Sequence, residues 1–193
     1  MTTYQMTLPA QTIDSAPDGA KQILEGAKAR MGMVPNMYGR MANLAGLLTT
    51  YAHGYEAFRA QGGFTPAEQE VVLLVTSREN GCEYCVGAHS MIADKMSGVP
   101  PQALEAIRTG KSIADPRLAA LAAFTQVMVD RRGNPAPADA AAFLKAGFTE
   151  QHILAVILAI AVKTISNYSN HVFHTPLDAP FAAYAWTADA KAA

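Results

Sequence analysis

Residues 64–89 read FTPAEQEVVLLVTSRENGCEYCVGAH, and the way this stretch starts, breaks and restarts decides the fold. Thr65 is a helix-capping residue, Pro66 suits the first helical position, and Glu68 stands where its side chain can reach back to the capping backbone. The apolar run that follows predicts a helix as far as Glu79. Asn80-Gly81 interrupts it, because glycine is favoured just past a helix end. A second helix then opens at Cys82.

Outward from this stretch the same punctuation recurs. Segments 16–26 and 44–60 carry apolar residues at helical spacing, separated by a break at Val34-Pro35-Asn36. The helix opened at Cys82 lasts until Gly98-Val99-Pro100-Pro101, and Pro101 begins a short helix to Arg108. Asp115-Pro116 starts another that reaches about Val129 and closes at Gly133-Asn134-Pro135. A further helix covers 137–146, Gly147 stops it, and Thr149 caps the last long one. No segment alternates with period two, so no sheet is expected. The reading is an all-α helical bundle, with residues 1–193 forming a single domain.

Composition limits the function. Half of the residues are hydrophobic and 16% are charged, which suits a folded chain with a real core. The net charge of -1 and the absence of a Lys/Arg cluster beyond Arg131-Arg132 exclude nucleic-acid binding as an expectation. The N-terminus lacks the basic and apolar regions of a secretory signal, so a cytoplasmic protein is expected. The longest apolar run, 153–162, is shorter than the ~20 residues that cross a bilayer, and it reads as a buried helix.

Aligning Phe64-Thr65 with Phe148-Thr149 reveals an internal repeat. Cys82-Glu-Tyr-Cys85 then falls on Ser166-Asn-Tyr-Ser169, and Glu70 falls on Leu154. This predicts a duplication with an active repeat at about 64–100 and a chemically silent one at about 148–180.

The chain has two cysteines, both in this motif, so their purpose is local. At about 100° per residue, Cys82, Cys85 and His89 fall within roughly 60° of one another on one helix face. Cys82 lies near the helix N-terminus, where the dipole and free N–H groups favour a thiolate. His89, one turn beyond Cys85, can exchange its proton. Glu70 would lie about 18 Å from Cys82 on one continuous helix. It can face the His89 turn only if the chain folds back at Asn80-Gly81, which then permits a Glu70–His89–Cys85 relay. Tyr84, between the cysteines, is a candidate hydrogen-bond donor to Cys82 or a packing residue. A zinc site built from Cys82, Cys85, His89 and Glu70 is the alternative chemistry, but thiol chemistry suits the helical placement better. His171 and His174 read as structural, and the methionines as core and subunit filler.

The order E-x11-C-x2-C-x3-H, carried by Glu70, Cys82, Cys85 and His89, resembles the alkylhydroperoxidase D-like (AhpD-like) branch of the carboxymuconolactone decarboxylase family. The resemblance runs from about Met33 through Asp178 and is greatest to that branch's uncharacterised peroxidase-related proteins. It implies an all-helical fold with an internal duplication. It also implies that the Cys85 thiolate attacks a small organic hydroperoxide, that Cys82 resolves the sulfenic acid to a disulfide, and that His89 and Glu70 relay protons. No cofactor or metal is expected. Best-known members have histidine where Tyr84 stands. The resemblance further implies a trimer or hexamer and a dithiol electron donor of the lipoyl type. A thiol-disulfide oxidoreductase, or a non-catalytic redox sensor or oligomerisation module, uses the same residues.

Overall fold

Every residue from Glu68 to Ser77 is buried, so the helix they form, α4 (Pro66–Glu79), has no solvent face. It starts as its sequence predicts. Glu68 N donates to Thr65 Oγ1 at 3.3 Å, and Thr65 N donates to Glu68 Oε2 at 2.8 Å, a capping box that stabilises such a terminus by about 1 kcal/mol. A helix buried all round needs neighbours all round. The computed structural model, which describes residues 3–188, supplies them: α5 (Glu83–Lys95), α6 (Pro101–Thr109), α7 (Pro116–Asp130) and α9 (Glu150–Phe173) pack around α4. The expectation of an all-α bundle holds, with no strand among the described residues.

The remaining helices are α1 (Asp18–Met31), α2 (Asn36–Met41), α3 (Ala45–Gln61) and α8 (Pro137–Lys145), followed by a 3-10 turn at Ala179–Tyr184. Sequence spacing shortened α1, which runs on to a left-handed Gly32. It also treated α2 as a break, because Pro35 punctuates the chain while serving as the residue just before that helix. Two apolar clusters result. One lies between α4, α7 and α9. The other gathers Leu24, Met41, Leu48 and Tyr51 from α1, α2 and α3 around Cys82 and Cys85.

The two aligned segments meet where they begin, with the Phe64 and Phe148 rings 5.9 Å apart. Beyond that they differ. The first is broken into α4 and α5, whereas the second is a single helix of 24 residues. By length and composition alone α9 suffices to cross a membrane, and the run 153–162 is only its first part. Here α9 packs on α3 and α4. Its second half buries polar groups: Lys163, Ser166, Asn167 and Asn170.

Candidate active site

The turn between α4 and α5 creates the site. Gly81 takes a positive φ of 68°, Cys82 N donates to Ser77 O at 2.9 Å, and Gly81 N donates to Arg78 O at 2.9 Å. These are the paired bonds of a Schellman motif, which closes a helix through a left-handed glycine. Asn80 Nδ2 ties the turn to Asn167 Oδ1 of α9 at 2.9 Å. The chain folds back, as the sequence required for Glu70 to reach His89.

It brings them together. His89 Nδ1 lies 2.8 Å from Glu70 Oε2, and Glu70 is fully buried. The other carboxylate oxygen accepts from Arg59 of α3, whose guanidinium also lies over the Tyr55 ring, 4.9 Å from its centroid. Burial alone would push the Glu70 carboxyl up, but His89 and Arg59 outweigh it and hold Glu70 below the usual carboxylate range. Burial and the charge of Lys163 depress His89, against the pull of Glu70. The result is a carboxylate paired with a neutral imidazole. Nδ1–H then points at Glu70, which leaves the Nε2 lone pair as the base.

The two thiols are free and buried. Cys82 immediately precedes α5, and Cys85 lies in its first turn. Both sulfurs come within reach of one amide: Asn170 Nδ2 is 3.3 Å from Cys85 Sγ and 3.8 Å from Cys82 Sγ. Cys85 Sγ also donates to Ser166 Oγ at 3.9 Å. The expected thiolate at Cys82 is corrected. Burial, and then the neighbouring Cys85, push the Cys82 thiol well up. Burial also opposes ionisation of Cys85, yet the Cys82 hydrogen bond and then the charge of Lys163 carry it well down.

Two more readings change. Ser166 is not part of a separate, silent half: α9 crosses the first repeat's motif, so Ser166 and Asn170 complete the same site. Tyr84 does not serve Cys82. Its hydroxyl donates to Asp178, whose carboxylate also accepts from Asn36 N at 3.1 Å, so Tyr84 clamps the segment before the 3-10 turn onto α5. Among the described residues no three His, Cys, Asp or Glu side chains converge as metal ligands.

Sequence reasoning missed Arg59, Asn170 and Lys163. The signal for Lys163 was present, as the one lysine or arginine of a 24-residue helix, placed directly after its apolar run. Arg59 and Asn170 gave none, because only packing brings α3 and α9 to the motif. Sequence also read His171 and His174 as structural. They line a surface cleft of about 740 Å³ that includes Tyr4, Cys82, Glu83 and Asn170 in its walls. The cleft approaches the dithiol from the Cys82 side.

The sequence model of the carboxymuconolactone decarboxylase family matches residues 45–127, from the start of α3 into α7. That segment is similar to this family. It supplies Arg59, Glu70, Cys82, Cys85 and His89, while Lys163, Ser166 and Asn170 lie beyond it. The whole fold is similar to solved AhpD-like structures. The AhpD core of an uncharacterised peroxidase-related protein from Ralstonia eutropha JMP134 is 23% identical, with a TM-score of 0.80 over 90% of this chain and 93% of that one. An uncharacterised peroxidase-related protein from Silicibacter sp. TM1040 is 22% identical, with a TM-score of 0.77 over 94% and 97%. The debrominase Bmp8 is 17% identical, with a TM-score of 0.74 over 93% and 96%. No curated protein matches the chain significantly. The segment that matches the family model thus sits in an AhpD-like fold.

Proposed function

We propose that this protein is a thiol-dependent oxidoreductase of the peroxidase type, cycling Cys82 and Cys85 between dithiol and disulfide. The observation that carries the reading is the 2.8 Å contact between His89 and Glu70 beside two free buried thiols. In the proposed cycle the Cys85 thiolate attacks the terminal oxygen of a small organic hydroperoxide, the O–O bond breaks, and the alkoxide takes a proton to leave as an alcohol. Cys82 then attacks the Cys85 sulfenic acid, releasing water and forming the disulfide. A dithiol donor of the lipoyl type returns two electrons. His89 handles the protons, oriented by Glu70, a role worth about 10²- to 10⁴-fold in rate where it operates. The same proposal includes self-association, supported by an outer face of α9 that exposes Leu154, Ile157 and Tyr168.

The test is turnover of tert-butyl hydroperoxide with reduced lipoamide, comparing wild type with Cys82→Ser, Cys85→Ser, His89→Ala and Glu70→Gln. Multiple turnovers that vanish in Cys85→Ser are expected. Activity unaffected by Cys85→Ser defeats the proposal. A single oxidation event per chain identifies a redox sensor instead.

A second reading draws on the fold similarity to a debrominase, one of whose solved structures is a cysteine-to-alanine variant in complex with 2,3,4-tribromopyrrole. In it the dithiol replaces an aryl bromine by hydrogen, releasing bromide and a proton and closing the disulfide. Bromide release from a bromopyrrole, with no peroxide consumption, selects it.

A further inference from the structure

Lys163 is fully buried, and among the described residues its Nζ makes no well-formed hydrogen bond. It lies on the face of α9 that meets the dithiol. Ser166, one turn on, bonds back to the Lys163 carbonyl at 3.2 Å and touches Cys85 Sγ at 3.9 Å. Asn170, two turns on, reaches both sulfurs. A buried cation is strongly unfavourable without an anion beside it. The buried carboxylate of this site is already taken, since Glu70 faces Arg59 with one oxygen and His89 with the other. The acids left on the Lys163 side are the thiols.

We infer that Lys163 is the counter-ion of a Cys85 thiolate and thereby makes Cys82–Cys85 a strongly oxidising couple. This rests on the dithiol reading above but not on peroxide as the oxidant. Of the two sulfurs, Cys85 takes the charge because Asn170 Nδ2 donates to it at the shorter distance, 3.3 Å against 3.8 Å to Cys82. The direction of its shift, well down against the opposition of burial, agrees.

Redox consequences follow. Reducing the disulfide takes two electrons and one proton, giving a Cys82 thiol and a Cys85 thiolate. Oxidation leaves Lys163 without its anion, so the pairing favours the reduced form and raises the potential. It also fixes the direction of regeneration. A donor thiolate attacks the Cys82 sulfur, on the side of the cleft, and the S–S bond breaks to release Cys85, since the thiol of lower pKa leaves faster. The donor's second thiol then releases Cys82 as its own disulfide closes.

The test is an equilibrium redox titration of the full chain against dithiothreitol buffers, with thiols counted by alkylation, for wild type, Lys163→Met and Lys163→Arg. Methionine matches the lysine stem and needs no counter-ion. Lys163→Met is expected to shift the dithiol–disulfide equilibrium at least tenfold toward disulfide, about 30 mV. The pH dependence steepens as reduction comes to consume two protons instead of one, and Lys163→Arg restores most of both effects. The ionisable groups facing the pair are Tyr51, Tyr55 and Arg59 of α3, Glu70 of α4, Tyr84 and His89 of α5, and Asp178 behind Tyr84. All are retained in these variants, so the change of slope reports Lys163. A potential and slope unchanged in Lys163→Met overturn the inference while leaving the dithiol intact. A wild-type pair that never closes a disulfide across the series overturns the dithiol reading and the inference with it.

A stability cycle gives a second measurement. In the reduced protein at pH 8, Cys85→Ala strips Lys163 of its anion and should lower the urea midpoint more than Cys82→Ala, and adding Lys163→Met should recover the difference. Equal losses in the two alanine variants, with no recovery, count against the pairing.

Discussion

His89 Nδ1 and Glu70 Oε2 are 2.8 Å apart across 19 residues of sequence, joined by a turn that a single left-handed glycine makes. Glu70 also holds Arg59, so the carboxylate is the shared anion of two elements. Glu70→Gln keeps the shape and removes the charge. It should reduce turnover about 100-fold and, by unpairing Arg59, destabilise the protein by about 3 kcal/mol. Steady-state rates and urea melts measure the two losses separately. Full activity with lowered stability would confine Glu70 to a structural role.

Stability should fall as the solution is made acid. Glu70 and His89 are both depressed in the folded state, so the unfolded chain binds protons first. Their contribution is complete above the unfolded values. The loss begins as pH drops through the ordinary histidine value of 6.5 and continues through the carboxylate range until the folded values are passed. Urea midpoints between pH 8 and 4 should show this slope. Replacing His89 by Phe should flatten its upper part, and an identical slope in that variant would assign it to other groups.

Asn170 donates to both sulfurs, so it favours the thiolate. Asn170→Asp places a carboxylate 3.3 Å from the Cys85 sulfur, and a like charge at that distance disfavours ionisation. Iodoacetamide alkylation at pH 7 should slow at least tenfold, with a smaller effect in Asn170→Ala. Equal effects in the two variants would remove the electrostatic explanation.

Tyr84→Phe tests the clamp. The lost hydrogen bond to Asp178 should cost about 2 kcal/mol while thiol alkylation stays within twofold of wild type, because the hydroxyl donates to Asp178 and to neither sulfur. A tenfold loss of thiol reactivity would return Tyr84 to the chemistry.

Gly81 carries the turn. A Cβ there meets nothing closer than Ala188 at 3.8 Å, so the penalty is backbone strain. Gly81→Ala should cost about 1–2 kcal/mol and loosen the His89–Glu70 contact, lowering turnover as well. Gly81→Asn, which tolerates the left-handed region better, should lose less. A urea melt ranks the two, and the reverse order would place the strain elsewhere.

The sequence alone determined what is local. Thr65, Pro66 and Glu68 fix the start of α4, Gly81 ends it, and the spacing of Cys82, Cys85 and His89 puts them on one face of the next helix. These follow from capping chemistry, left-handed glycine and helical periodicity, all of which act within a few residues. Sequence also named the condition for Glu70, a fold-back at Gly81, without being able to impose it. Tertiary structure decided the rest. It brought Arg59 from α3 to the second oxygen of Glu70, and Lys163, Ser166 and Asn170 from α9 to the sulfurs. It also turned Tyr84 to Asp178 and set burial against the Cys82 thiolate that the helix terminus favours. Each of these depends on charges and desolvation set by groups far apart along the chain. A buried thiol's ionisation answers to the nearest cation in space, and no spacing within one helix records where that cation will be.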